Sequence, residues 1–190
     1  KPGSIEQRLD FMARRLGFAE GLSSEQRIVA QTLDTAMLSG DRMNGGRVVG
    51  VLEGSKGKTA SILASLPTAV SANMREGKVT IILVENPTQG LQLLQQTRKA
   101  YGDIYDIGYI GKGMPTGKDP MTTLTENHVV VAETMELTQL IHMQQANSKV
   151  TIVPLERMRG ARAYIDEVDS LYTKPALRIT AGQQRSEYTA

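Results

Sequence analysis

The sequence contains no cysteine and no tryptophan, and only two phenylalanines and two histidines among its 190 residues. Without cysteine, neither disulfides nor thiolate metal sites can form. His128 and His142 each stand beside apolar residues, at a spacing that suits no pair of metal ligands, so we interpret both as structural. The scarcity of large aromatic side chains also disfavours a surface on which nucleic-acid bases stack.

The sequence also lacks a long apolar run and a secretory signal. We therefore expect no integral membrane segment and a cytoplasmic protein, either bacterial or viral within the host cytoplasm. The 22 basic and 20 acidic residues leave a net charge of +2, which does not call for a nucleic acid as partner. Because the first residue is Lys1 rather than Met, we expect the chain to be either a fragment or a processed piece.

Apolar residues make up 40% of the chain, enough for one sizeable core. Residues 4–38 have helical spacing that is broken at Gly17 and Gly21, and residues 23–26 resemble a capped helix start. Beyond a polar loop at 41–46, short apolar segments alternate with helical ones. We predict strands at 48–52, 79–84, 104–110, 128–132, 150–153, 163–165 and 177–180, helices at 58–74, 91–101 and 135–146, and a loop at 111–120.

The predicted strands are apolar on both faces and are separated by helices. Such strands belong to a mostly parallel sheet that helices cover on both faces. The sequence therefore predicts an α/β fold with an N-terminal helical segment, residues 1–40, packed on a core formed by residues 41–190. Ligands of such sheets bind at the carboxyl ends of the strands.

A glycine-rich segment lies between the predicted strand at 48–52 and the helix that follows: Gly54-Ser55-Lys56-Gly57-Lys58-Thr59. Glycines let backbone N–H groups curl around phosphate oxygens, and a helix N-terminus adds partial positive charge. In this position Lys58 would reach the β- and γ-phosphates of ATP, and the Thr59 hydroxyl would bind Mg²⁺. Leu52 stands where the strict motif has its first glycine, so an incidental glycine-rich turn is the alternative interpretation.

Two carboxylates, Asp166 and Glu167, follow the predicted strand at 163–165. At such a strand end Asp166 can hold Mg²⁺ through its water shell, and Glu167 can polarise an attacking water. Taken alone, this segment is more often a solvated acidic turn. Together with the glycine-rich segment it predicts a site for ATP and Mg²⁺, with Lys58 and Glu167 as its catalytic residues.

The acidic segment Asp166-Glu167-Val168-Asp169 is a DExD box. From about Gln26 onwards the chain resembles the first RecA-like domain of the superfamily 2 motor ATPases. The resemblance implies a RecA-like fold for residues 41–190 and a second RecA-like domain, in cis or in trans, that supplies an arginine to the site. It also implies that Gln26 recognises the adenine base of ATP. The alternative is that Gln26 is an ordinary surface residue of a helix.

Within that superfamily the chain is more similar to the SecA family of preprotein-translocase motors. The resemblance is carried by Asp166–Leu171, Pro175–Gly182, Leu66-Pro67, Gly77-Lys78-Val79 and Gly113-Met114-Pro115. It implies ATP hydrolysis coupled to the movement of a polypeptide. Lys56 stands where that family has a glutamate, which bears on turnover more than on nucleotide binding.

Two other functions remain open. A helicase acting on RNA or DNA is suggested by Pro87-Thr88-Gln89-Gly90-Leu91, which is similar to a motif that touches the nucleic-acid backbone but is also a common helix start. A local basic cluster points the same way, although a solvated rim is the commoner role for such charges: Lys149, Arg157, Arg159 and Arg162. The altered phosphate-binding segment fits a nucleotide-binding scaffold that does not hydrolyse ATP.

Overall fold

The computed structural model of the protein describes residues 4–18, 21–39, 58–112, 119–146 and 156–165. Within these ranges the chain forms six helices and four strands. In order they are α1 (Ile5–Arg15), α2 (Ser24–Ser39), α3 (Lys58–Arg75), β1 (Thr80–Val84), α4 (Pro87–Tyr101), β2 (Ile107–Ile110), α5 (Pro120–Glu126), β3 (Val129–Glu133), α6 (Thr134–Ala146) and β4 (Ala163–Ile165). The strands predicted at 48–52, 150–153 and 177–180 lie outside the described residues.

The four strands form one all-parallel sheet in the order β2-β3-β1-β4. Strand β1 lies between β3 and β4, with Ile82 opposite Val131 on one side and opposite Tyr164 on the other. Parallel neighbours need crossover connections, which the helices provide. The predicted parallel α/β arrangement is thus confirmed for the described part of the chain.

Alternate residues of each strand face two separate cores. Ile82 and Val131 pack with α1, α2, α3 and α4, whereas Ile81 and Val130 pack with α5 and α6. Helices therefore cover both faces of the sheet, which explains why the strands read as continuous apolar runs. No helix among the described residues is long and apolar enough to cross a membrane.

The N-terminal helices are joined to α3 by a buried ion pair. Arg8 of α1 donates to both carboxylate oxygens of Asp34 on α2, at 2.8 and 2.9 Å. The Thr68 hydroxyl of α3 accepts from Arg8 and donates to Asp34. Bidentate, charge-assisted contacts of this kind are directional, and removing one partner would leave a buried charge uncompensated. They fix the orientation of α1 and α2 on α3.

Helix α3 contains an interior proline, Pro67. Since proline has no backbone N–H, the carbonyl of Leu63 loses the donor that a regular helix would give it. The hydroxyl of Tyr101, the last residue of α4, donates to this carbonyl at 2.6 Å. Burial raises the pKa of Tyr101, so its hydroxyl stays protonated and remains a donor. The proline is therefore tolerated without an unsatisfied buried carbonyl.

Three elements differ from the sequence predictions. Helix α4 begins at Pro87, four residues before its predicted start, because the Asn86 side chain caps it there. Helix α5 was not predicted, although Asp119 and Pro120 form an N-cap and a first-turn proline, because the threonine-rich segment that follows favours helices only weakly. Strand β2 begins at Ile107 rather than 104. The chain first turns after α4, where the N–H groups of Ile104 and Tyr105 donate to the Tyr101 carbonyl.

We predict that Tyr101→Phe lowers the free energy of unfolding by about 1–3 kcal/mol, because it leaves the buried Leu63 carbonyl unsatisfied. In a Pro67→Ala background the new N–H at position 67 can donate to the same carbonyl. In that background Tyr101→Phe should lower the free energy of unfolding clearly less than it does in the wild type. Urea unfolding of the two single variants, the double variant and the wild type measures both costs.

Tyr105→Phe is the matched control, since the half-buried Tyr105 makes no hydroxyl hydrogen bond to a described residue. Its unfolding free energy should stay within about 0.5 kcal/mol of the wild-type value. If Tyr101→Phe lowers the free energy of unfolding equally with and without Pro67, the Tyr101 hydroxyl does not replace the donor that Pro67 lacks.

Candidate functional site

Helix α3 and strand β4 run antiparallel, and side-chain contacts hold them together at two points. Asn73, near the end of α3, donates to the Arg162 carbonyl at 2.9 Å and accepts from the Arg162 N–H at 2.8 Å. Ser65, farther towards the start of α3, meets the Tyr164 hydroxyl at 2.6 Å. Since Arg162 precedes β4 and Tyr164 is its central residue, the N-terminus of α3 is directed towards the carboxyl edge of the sheet.

The predicted phosphate and metal residues flank these two elements. Lys58 and Thr59 are the first two residues of α3, and Thr59 is half-buried. Asp166 and Glu167 follow directly after Ile165, the last residue of β4. These two carboxylates lie outside the described residues, as do Gly54, Ser55, Lys56 and Gly57. The structure thus describes the helix and the strand that carry the predicted site, but neither the loop nor the acidic box.

Gln26 lies in the first turn of α2 and caps that helix. Its side-chain oxygen accepts from the Ser23 N–H at 2.8 Å, and its own N–H donates to the Ser23 hydroxyl at 3.2 Å. This reciprocal pair is a capping box, as the sequence predicted for residues 23–26. The Gln26 carbonyl accepts from the Ser61 hydroxyl at 3.1 Å. Gln26 therefore lies beside the first turns of α3, and a role in reading adenine stays a prediction.

A buried carboxylate that the sequence analysis did not single out lies at the carboxyl end of β3. Glu133 is 5% exposed, and one of its oxygens accepts from the Tyr109 hydroxyl of β2 at 2.6 Å. Burial, followed by the bond to Glu133, raises the pKa of Tyr109. Any side chain at Gly90 would overlap Tyr109, and any at Gly111 would overlap the Glu133 carboxylate. Both glycines are therefore needed for this close packing.

A sequence signal for Glu133 does exist. The apolar run that ends at Ala132 is followed at once by Glu133 and Thr134, and a polar residue that ends a buried parallel strand lies at the ligand-binding edge. The Thr134 hydroxyl donates to the Val84 carbonyl at 2.9 Å, which ties the ends of β3 and β1 together. Glu133 was overlooked because it belongs to no motif.

Acidic and basic residues both lie at this edge. Glu85 follows β1, Glu133 ends β3, and Glu136 lies in the first turn of α6. The exposed ammonium of Lys112, just after β2, lies 3.6 Å from the Glu136 carboxylate. Lys58, the first residue of α3, is a second described lysine at this edge.

The described arginines of the basic cluster lie at the opposite edge of the sheet. The guanidinium of Arg157 donates to the carbonyls of Leu124, Thr125 and Asn127, where α5 ends and β3 is about to begin. The N–H of Val79, just before β1, donates to the Arg157 carbonyl at 3.0 Å. These positions mark the amino edge of the sheet.

The other described arginines of the cluster lie on the same side. Arg162 precedes β4, donates to the Met37 carbonyl at 2.6 Å and lies 3.6 Å from the Glu76 carboxylate. Arg159 pairs with Glu156 at 3.4 Å on the surface. Lys149 lies outside the described residues. The described arginines of the cluster thus bind carbonyls and carboxylates of this domain.

The helicase-like segment Pro87–Leu91 forms the first turn of α4. The Asn86 side chain caps the helix by accepting from the Gln89 N–H at 2.9 Å, and Pro87 occupies the first helical position. Gly90 packs against Tyr109. Helix initiation and close packing thus account for the composition of this segment.

Comparison with known proteins gives no family. No protein-family model matches the chain, and no curated protein is similar to it at a significant level. The residues themselves must therefore support any function. Within the described ranges, no group of three histidine, aspartate or glutamate side chains could hold a metal ion. Of the predicted Mg²⁺ ligands only Thr59 is described, because Asp166 lies beyond the last described residue of β4.

Proposed function

We propose that this chain is the nucleotide-binding part of an ATP-driven motor, a RecA-like P-loop domain similar to that of the SecA family. One observation carries the proposal: α3 and β4 run antiparallel and are joined by hydrogen bonds at Asn73 and Ser65. The helix that begins at Lys58 and the strand that leads to Asp166 are thereby directed to the same edge of the sheet. Nucleotides bind at this edge in parallel α/β folds.

The spacing along the two elements supports a shared Mg²⁺ site. An α-helix rises about 1.5 Å per residue, so Thr59 lies roughly 9 Å nearer the carboxyl edge than Ser65. A strand advances about 3.3 Å per residue, so one further extended residue after Ile165 would bring Asp166 roughly 7 Å beyond Tyr164. Starting from the contact between Ser65 and Tyr164, helix and strand therefore advance by similar amounts. This favours Thr59 and Asp166 as neighbours around one cation.

Each predicted residue then has a chemical role. The backbone of Gly54, Ser55, Lys56 and Gly57 would surround the phosphates, and Lys58 would neutralise charge on the β- and γ-phosphates. Thr59 and Asp166 would hold Mg²⁺ directly or through water, and Glu167 would polarise the attacking water. The described arginines of the basic cluster lie at the amino edge, which favours an arginine supplied by a second RecA-like domain, in cis or in trans.

A polypeptide is favoured over RNA or DNA as the cargo. The arginines that suggested a helicase are bonded within the domain at the amino edge, and Pro87–Leu91 is accounted for by helix initiation. The similarity of Asp166–Leu171 and Pro175–Gly182 to segments of the SecA family favours a polypeptide instead.

Hydrolysis is the part of the proposal that depends most on residues outside the described ranges. Lys56 adds a positive charge beside the phosphates, which strengthens nucleotide binding but differs from the glutamate of the translocase motif. A scaffold that binds ATP without turnover is therefore the second candidate function. It shares the same site and differs only in the absence of measurable ATP hydrolysis.

We predict that Lys58→Ala abolishes the ATP-dependent rise in melting temperature and leaves the nucleotide-free melting temperature nearly unchanged. Ligand binding stabilises only the native state, and Lys58 is expected to supply the main charge contact with the phosphates. Thermal melts of the wild type and the variant, each with and without ATP and Mg²⁺, measure the effect.

Lys99→Ala is the matched control. Lys99 is an exposed lysine in the last turn of α4, so its replacement removes the same charge away from the predicted phosphate contact. This variant should keep the full ATP-dependent shift. Equal ATP-dependent shifts of the melting temperature in the wild type and in Lys58→Ala would contradict the proposed phosphate contact.

The cargo preference predicts different responses to salt. Unstructured polypeptide should bind with an affinity that changes little with salt, whereas any binding of single-stranded RNA or DNA should be weak and fall steeply as salt is raised. Fluorescence anisotropy with labelled probes of equal length, across a salt series, distinguishes the two. Tight nucleic-acid binding at physiological salt, without polypeptide binding, would favour the helicase alternative.

A further inference from the structure

Helix α2 packs on α3 with one face and leaves the opposite face exposed. Asp34 and Met37 are buried on the inner face. The outer face carries Ile28 and Leu38, which are 63% and 61% exposed. Among the described residues, Met143 is the one large apolar side chain with a higher exposed fraction. Covering Ile28 and Leu38 with another apolar surface would therefore be favourable.

Four exposed residues of α2 follow the spacing of a coiled-coil seam: Ile28, Gln31, Thr35 and Leu38. Steps of three, four and three residues keep side chains on one side of a helix, as in a heptad repeat. The seam is symmetric along the chain, because positions 28 and 38 have the same midpoint as positions 31 and 35. In an antiparallel pair of α2 helices, Ile28 of one copy would lie beside Leu38 of the other. The seam is therefore complementary to itself, as a two-fold contact requires.

The polar side chains on this face already make hydrogen bonds within their own chain. The Thr35 hydroxyl donates to the Gln31 carbonyl at 3.0 Å, and the Thr32 hydroxyl, beside the seam, donates to the Ile28 carbonyl at 2.8 Å. The Gln31 amide donates to the Glu6 carboxylate on α1 at 2.8 Å. Covering the two threonine hydroxyls therefore breaks no hydrogen bond, and their methyl groups add to the apolar surface.

The seam carries no charge. The charged residues of α2 are Glu25, Arg27 and Asp34, none of which belongs to the seam. Asp34 is buried in its ion pair with Arg8, and Arg27 pairs with carboxylates of α1. A two-fold contact between identical charged faces would bring like charges together, which the uncharged seam avoids. A partner with a charged surface would find no counter-charge on the seam, so a second copy of this chain fits it better.

We propose that two copies of this chain associate through an antiparallel, two-fold pairing of their α2 helices. The seam from Ile28 to Leu38 is about 15 Å long at 1.5 Å per residue. A stable interface buries roughly 1,600 Å² in total, more than one helix face of this length supplies. The dimer should therefore form reversibly at high protein concentration and dissociate on dilution. This association does not depend on nucleotide binding.

Sedimentation velocity across a concentration series tests the pairing. Ile28→Glu alone and Leu38→Lys alone should each weaken the association by at least about tenfold, because each places an unpaired charge in an apolar contact. Combined in one chain, the two substitutions should restore the association. In the antiparallel pair the introduced glutamate of each copy lies beside the introduced lysine of the other, so the charges compensate.

Met143→Glu is the matched control, since Met143 is 69% exposed but lies on α6. This variant should associate as the wild type does. All the substituted side chains are exposed, so the free energy of unfolding should stay within about 0.5 kcal/mol of the wild-type value in each variant. Urea unfolding checks that a loss of association is not a loss of the fold.

Three outcomes would overturn the proposal. The first is a wild type that stays monomeric throughout the concentration series. The second is a combined Ile28→Glu and Leu38→Lys variant that associates no better than the single variants, because the α2 helices then do not pair in the antiparallel register. The third is a Met143→Glu variant that weakens the association as much as Ile28→Glu does, because the contact is then not specific to α2.

Discussion

The position of α3 is the constraint on which the rest of the structure depends. The helix is held from several sides: by the ion pair between Arg8 and Asp34 through Thr68, by the Tyr101 hydroxyl, and by the contacts with β4. Its apolar side chains fill the core between the N-terminal helices and the sheet. Because these hydrogen bonds are buried or partly buried, a shift of α3 would leave polar groups unsatisfied, at a cost of up to about 1–3 kcal/mol each. The first turn of α3, where phosphate is expected to bind, therefore has a defined place relative to the strands.

The sequence predicted the strands and most helices because their signals are local. The β-branched run Val129-Val130-Val131 is typical of a buried strand. Ser23 and Gln26 are typical of a helix start, here that of α2. The contacts that orient α3 could not be predicted, since Tyr101 is 38 residues from Leu63 in sequence and Tyr164 is 99 residues from Ser65. Helix α5 was overlooked because its threonine-rich composition is not typical of helices.

The described arginines of the basic cluster hold parts of this domain together. The arginines that stand close to the acidic box in sequence lie at the amino edge, because a strand separates them from the box and carries the chain across the sheet. There they bind carbonyls and carboxylates of the same domain.

The most direct test of the central claim is where a metal–nucleotide complex binds on the sheet. Mn²⁺ can replace Mg²⁺ beside ATP, and its unpaired electrons broaden the NMR signals of nearby amides. We expect ATP-dependent broadening that is strongest at Thr59, Glu85 and Thr134, at the carboxyl edge, and weakest at His128 and Arg162, at the amino edge. Broadening that is strongest at the amino edge, or that does not depend on ATP, would contradict a nucleotide site formed by α3 and the strand that follows Arg162.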